Sequence, residues 1–386
     1  MKAYFPWTAA LVLTAGLFAR GQNYTQINLV ANANGIARET DPHLVNPWGL
    51  ARTTGSDWWV ANAGAGVSTA YRGDGFINSS LVISIPKANS GTADATPTGV
   101  VSDLKFLASP GNPASFLFST ADGIIAGWNP ETGLTNGGVP PSKNAVILVK
   151  TTDGSSFTGL TSAAIGARFY LYAANFSKGR IDVFSTAYKR VTLPKVANLG
   201  EFNPGAVAPF TDALLPKGYS PFNAQAVGND IVVTYALSNG AAGPGKGFVD
   251  IYSSTGELLM RLEHGAWMNA PWGVALAPTD FGTFSHHLLV GQFGEGGSTA
   301  GSGTIAAFDL ITGKFTGLLK DENGKPIAID GLWALGVGGG VSSGSVDAFS
   351  APAAEVYFTA GPNHGKDGLF GYLTAVSLEL IEGGDQ

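Results

Sequence analysis

Six short stretches of unbroken apolar residues punctuate the chain, each closing on a small or polar residue: Trp58–Asn62, Phe116–Thr120, residues 171–175, residues 231–235, Leu288–Gln292 and residues 356–360. Such runs of five, rich in β-branched and aromatic side chains, predict short strands. Their ends recur at intervals of roughly sixty residues, the spacing of a repeat architecture. A strand of small residues precedes several of these runs, at residues 48–52, 160–165, 224–227 and 272–277. Another follows and runs into a turn, as in Ile124–Trp128 before Asn129-Pro130-Glu131-Thr132-Gly133, or Phe248–Tyr252 before Ser253-Ser254-Thr255-Gly256. Glycine supplies the positive φ that such hairpin turns require. A fourth strand is read at residues 81–85, 145–150, 257–262 and 314–319.

Four strands in each of six units predict an all-β fold, a six-bladed β-propeller with four-stranded blades. The small residues belong on the innermost strands, which crowd around the axis. Residues 24–30 precede the first unit, whereas the last unit stops after its third strand at residues 369–378. The N-terminal strand is therefore expected to complete the last blade and close the ring, because an open ring would leave sheet edges exposed. Two longer connections interrupt the pattern, at residues 202–222 between units three and four and at residues 342–354 within unit six.

Composition narrows the function classes. The chain of 386 residues has 54 Gly, 21 Pro and no Cys, so disulfides, thiol catalysis and cysteine metal sites are excluded. Residues 1–21 read as a secretory signal peptide: Lys2, an apolar stretch too short to span a bilayer, then Ala19-Arg20-Gly21 as a small-x-small cleavage site. The remaining domain, 22–386, keeps 20 basic and 28 acidic residues. That acidic balance argues against nucleic acid and anionic membrane surfaces as partners. No further stretch is long and apolar enough for a membrane span, so a secreted or periplasmic protein is expected.

The opening Asn46-Pro47-Trp48-Gly49 returns as Asn269-Ala270-Pro271-Trp272-Gly273 and, more loosely, as Asp330-Gly331-Leu332-Trp333. With these motifs, the Trp59-Val60-Ala61-Asn62-Ala63-Gly64 strand and the six units, the chain resembles a family of uncharacterised exported bacterial NHL-like six-bladed propellers. The resemblance implies a fold and an exported location but no reaction and no catalytic residues.

Blade topology supplies candidate sites instead. The loop leading into the first strand of a blade and the loop between its second and third strands share a face near the axis. That places Asn46, Asn223, Asn269 and Asp330 beside Asn62, Asp122, Asn175, Gln292, Glu295, Asn363 and His364 as an oxygen-rich ring. Two readings follow. In one, the face binds a small molecule, glycan or protein, the amides cap turns, and Trp48, Trp272 and Trp333 pack between neighbouring blades or stack a sugar at the channel mouth. In the other, Asn62, Asp122, Asn175 and Glu295 hold Ca²⁺, as in six-bladed lactonase and gluconolactonase-like enzymes, with His364 as the candidate general base. None of the five histidines shows metal-site spacing, and neither a Gly-x-Ser-x-Gly elbow nor a phosphate loop is present.

Overall fold

A computed structural model describes residues 23–53, 55–89, 94–134, 138–197, 205–294, 302–338 and 354–376. The expected leader at 1–21, Glu295 and almost all of the 342–354 connection lie outside these residues. Among the described residues, six antiparallel sheets of four main strands follow one another around a ring. Blade one is Pro47–Ala51, Trp58–Asn62, Val67–Tyr71 and Ile83–Ser84 from the axis outward. Blades two to five repeat this order, their innermost strands being Pro97–Val101, Phe157–Ile165, Tyr219–Val227 and Pro271–Leu276. Blade six takes Leu332–Val337, Glu355–Ala360 and Leu369–Ala375 from the C-terminal end of the chain and Tyr24–Ala31 from the other. The expected clasp is present: Tyr24 pairs with Ala375 and Ala31 with Leu369 in one antiparallel ladder. The two-residue strand Glu39–Thr40 runs parallel outside it, so the closed blade presents only a short, charged edge.

The second strands explain the unbroken apolar runs. Side chains of a strand alternate between its two faces, and here each face meets a different neighbouring blade. Trp59 and Ala61 pack into the core between blades one and two, whereas Trp58 and Val60 pack into the core between blades six and one. Likewise Leu171 and Ala173 face blade two while Tyr172 and Ala174 face blade four. Each blade thus contributes half of two cores, and no blade owns one. The second strands end at Asn62, Thr120, Asn175, Gln292 and Ala360 as read from the sequence; in blade four the strand runs on to Leu237.

Small residues sit where inner strands touch. A Cβ on Gly49 would lie 2.5 Å from the Thr98 carbonyl oxygen of blade two, and one on Gly273 would lie 2.3 Å from the Trp333 oxygen of blade six. Only glycine lets those backbones approach so closely. The 202–222 connection is shorter than expected, because the innermost strand of blade four already begins at Tyr219. Within that strand Pro221 sits at a bulge where the register shifts, a position that tolerates a residue with no N–H to donate.

What is left of that connection is tied down by charge. Asp212 and Asp250 both contact Arg261, Asp250 through Nε at 2.9 Å, and both carboxylates are buried. Tyr252 donates to Asp250 at 3.2 Å and is itself hydrogen-bonded to Tyr235 at 2.8 Å. Burial pushes the Asp250 carboxyl up to about 6, with Arg261 opposing the shift. The folded form thus holds a proton between about pH 4 and pH 6 that the unfolded chain has released. This group's contribution is therefore largest below its unfolded pKa near 4 and falls as pH rises through 6. The expected loss on going from pH 4 to pH 6.5 is on the order of 1–3 kcal/mol. Melting temperatures of the native protein and of Asp250→Asn across that range measure it, because the variant should lack this share of the slope. Parallel curves would refute the assignment.

Candidate functional site

The lead-in loops and the loops between second and third strands share a face, as topology demands. Their backbones are joined there: Ala63 N–H donates to Asn46 O (3.1 Å), Ala121 to Thr96 (3.0 Å), Phe176 to Ser156 (2.9 Å), Phe293 to Ala270 (3.1 Å) and Gly361 to Gly331 (2.8 Å). Near this face, one position of each inner strand decides what fills the axis. Strand pairing aligns Pro47, Pro97, Phe157, Pro221, Pro271 and Leu332 as equivalents, so the next residues are Trp48, Thr98, Thr158, Phe222, Trp272 and Trp333.

The four aromatic members meet one another. Trp48 stacks on Trp333 at 3.7 Å between ring centroids, and Phe293 stacks on Trp333 at 3.9 Å. Trp272 meets Trp48 edge-on at 6.2 Å, and Phe222 of blade four meets Trp48 of blade one at 6.3 Å. Blades one and four stand on opposite sides of the ring, so these contacts cross the axis. Trp48 with Trp333 and Trp333 with Trp272 meet between neighbouring blades, as read from sequence, and with Phe222 they converge further into an axial plug. Blades two and three hold threonine instead, and Trp272 reaches over to donate its Nε1–H to the Thr158 carbonyl at 3.0 Å. Trp272 and Trp333 are buried, whereas Trp48, Phe293 and Phe176 are only partly so. All three belong to strands or loops of the face described above.

Among the described residues, most of the amide and carboxylate candidates are engaged within their own or an adjacent blade. Asn175, fully buried, donates to Ser155 Oγ (2.8 Å) and Asp182 Oδ2 (2.7 Å). Asp122 accepts from Ala88 N at 2.7 Å and from the Thr120 hydroxyl. Asn223 donates to the Trp272 carbonyl at 2.9 Å, tying blade four to blade five. Gln292 accepts from Asn269 N at 2.7 Å, and Asn269 in turn accepts from Gly243 N at 2.7 Å. Asn46 accepts the indole N–H of Trp333 at 3.0 Å.

A few atoms are left over. Asn62 donates through Thr69 and Tyr71 to Asp41 in a buried chain, yet its own Oδ1 is buried without a partner. Asp330 accepts from Asn363 N at 3.0 Å through Oδ2 while its Oδ1 has none, and Trp48 Nε1 is likewise unmatched. Asn363 and His364 are exposed on this face, both with positive φ, 54° and 57°. Such backbone is uncommon away from glycine and is found at binding loops.

Among the described residues, no three His, Asp or Glu side chains group as a metal site. Asp122 and Asn175 have their oxygens committed, and Ca²⁺ takes six to eight. Among the described residues, no acidic side chain hydrogen-bonds His364 to orient it as a base.

No family model matches the chain. Two uncharacterized proteins of Acanthamoeba polyphaga mimivirus are 29% and 27% identical to it over 360 residues, covering 89% of this chain and 78% and 84% of theirs. These relatives are viral, so neither the NHL-like family nor the bacterial origin implied by the motif resemblance follows from them. Among solved structures, a streptogramin B lyase covers 92% of this chain and 98% of its own at TM-score 0.48 and 11% identity. A gluconolactonase from Xanthomonas campestris covers 74% and 91% at TM-score 0.37 and 13% identity. At these values nothing of their chemistry transfers to individual residues here. Among the described residues, no helix is long and apolar enough to cross a membrane.

Proposed function

We propose that the protein is an exported binding module whose axial face takes a sugar ring or another flat polyhydroxy ligand. The observation carrying this reading is the aromatic plug, whose partly open members Trp48, Phe176 and Phe293 form an apolar floor within a rim of amides. Aromatic faces receive the C–H side of a sugar, while Asn46, Asp330 and Asn363 stand at the rim to meet its hydroxyls. The leader-like residues 1–21 support export.

The second reading, a Ca²⁺-dependent hydrolase, draws on the unmatched Oδ1 atoms of Asn62 and Asp330. One experiment separates the two. Titrating neutral oligosaccharides by calorimetry, with calcium and then with chelator, is expected to give binding that chelation leaves unchanged. Trp48→Ala is expected to weaken it at least about tenfold, the scale of a lost aromatic contact, with a melting curve to verify folding. Binding lost in chelator would favour the calcium reading, and binding indifferent to Trp48 would refute the floor.

A further inference from the structure

The opposite face carries a cavity of about 640 Å³ between blades one and two. Its walls come from the loops and strand ends of that face: Trp59, Leu81, Leu104, Phe116, Trp128 and the prolines Pro130 and Pro141. Trp59 lies against Phe116 at 4.5 Å and Trp128 at 4.6 Å between centroids, so three rings make one rigid wall. Trp128 is locked by its indole N–H to the Ser142 carbonyl at 3.0 Å. The volume falls in the range of small-molecule sites, which are mostly apolar with a few placed polar groups.

The polar groups here are Asp57 and the hydroxyls of Thr53, Ser56 and Ser115; no Lys, Arg or His lines the cavity. Asp57 accepts from Asn78 at 3.1 Å through Oδ2, and its Oδ1 takes no hydrogen bond among the described residues. Arg72, a cation that feels the Asp57 charge, is itself held in an ion pair by Asp74. A carboxylate at the edge of an aromatic wall, with no cation in the lining, selects a ligand that is apolar at one end and positively charged at the other.

We infer that this cavity is a second binding site, separate from the axial face, for a small aromatic amine. The ring of such a ligand lies between Leu81, Leu104, Pro130 and Pro141, backed by the nearly buried Trp59, Phe116 and Trp128, and its ammonium group donates to Asp57. Phenethylamine, 2-phenylethanol and phenylacetate share the ring and differ only in the charge of the tail. Titrated into the full chain and followed by calorimetry, the amine is expected to bind tightest and the acid weakest. Asp57→Asn keeps an acceptor for Asn78 and should weaken the amine about tenfold while leaving the alcohol unchanged. Ser115→Phe, which fills the cavity, should abolish binding of all three probes, and Trp48→Ala on the other face should leave them unaffected. Equal affinity for amine and acid, an Asp57→Asn variant that still prefers the amine, or no binding of any probe at millimolar concentration would each overturn the assignment.

Discussion

A chain that begins at Asn32, and so lacks the strand Tyr24–Ala31, is expected to show no cooperative melting transition above room temperature. Tyr24, Leu29 and Val30 are at most 1% exposed, and their burial alone is worth about 5–9 kcal/mol. That is comparable with the whole net stability of an ordinary domain. The loss falls on two cores at once, because Tyr24 and Ala31 pack between blades five and six while Leu29 and Val30 pack between blades six and one. Tyr24 also fastens the clasp outside its own ladder, through its hydroxyl to Phe281 O at 3.0 Å and its N–H to Lys320 O at 2.8 Å. A synthetic peptide of residues 22–33 should restore the transition when added to the truncated chain, since the missing piece is a single strand. A truncated chain melting within a few degrees of the full one would show that closure contributes little.

Trp333→Ala should be the most damaging single truncation on the axis, at about 4–5 kcal/mol in urea unfolding. Trp333 is the hub of the plug. It stacks on Trp48 and Phe293 and meets Trp272 and Phe222 edge-on at 5.8 and 5.9 Å. Each aromatic pair adds about 0.5–1.5 kcal/mol beyond burial, and the void left would face rings held by four other strands or loops. Trp333→Phe keeps the stacking but loses the indole bond to Asn46, and should cost about 1–2 kcal/mol. If the alanine variant were no worse than the phenylalanine one, the plug would be loosely packed and its role as a rigid floor would fail.

Much of the architecture was legible because burial on both faces leaves a plain mark. A strand such as Trp58–Asn62, packed against a blade on each side, has no polar alternation, and six such runs at even spacing reveal the blades. The closing strand was legible from a deficit, a last unit one strand short. The start of blade four was less legible, because its innermost strand begins at Tyr219, inside the stretch read as a long connection. The axial plug was harder still. Equal spacing suggests that Trp48 and Trp272 play equal parts, but not that a residue of blade one touches Phe222 across the ring. Aligning the residue after each inner-strand Pro or Leu would have exposed the set Trp48, Phe222, Trp272 and Trp333. The oxygen-rich ring is an expectation about one face of the propeller. What it does there depends on register: whether Asn175 reaches Ser155 and Asp182 or points to the axis is decided by strand pairing, which composition does not encode. The cavity beside Asp57 left no sequence mark at all, because its walls come from loops about sixty residues apart.

The clasp also sets an order of events. Tyr24 pairs with Ala375, so this strand is synthesised long before the one it pairs with. Until then an apolar strand and an unfinished blade coexist in the same chain, each a template for pairing with another molecule. Contacts this distant in sequence form slowly. Propagation of the growing ring can proceed blade by blade, but the final step is a single long-range encounter. That step is where crowding during production should divert chains into swapped dimers, each lending its first strand to the other's last blade.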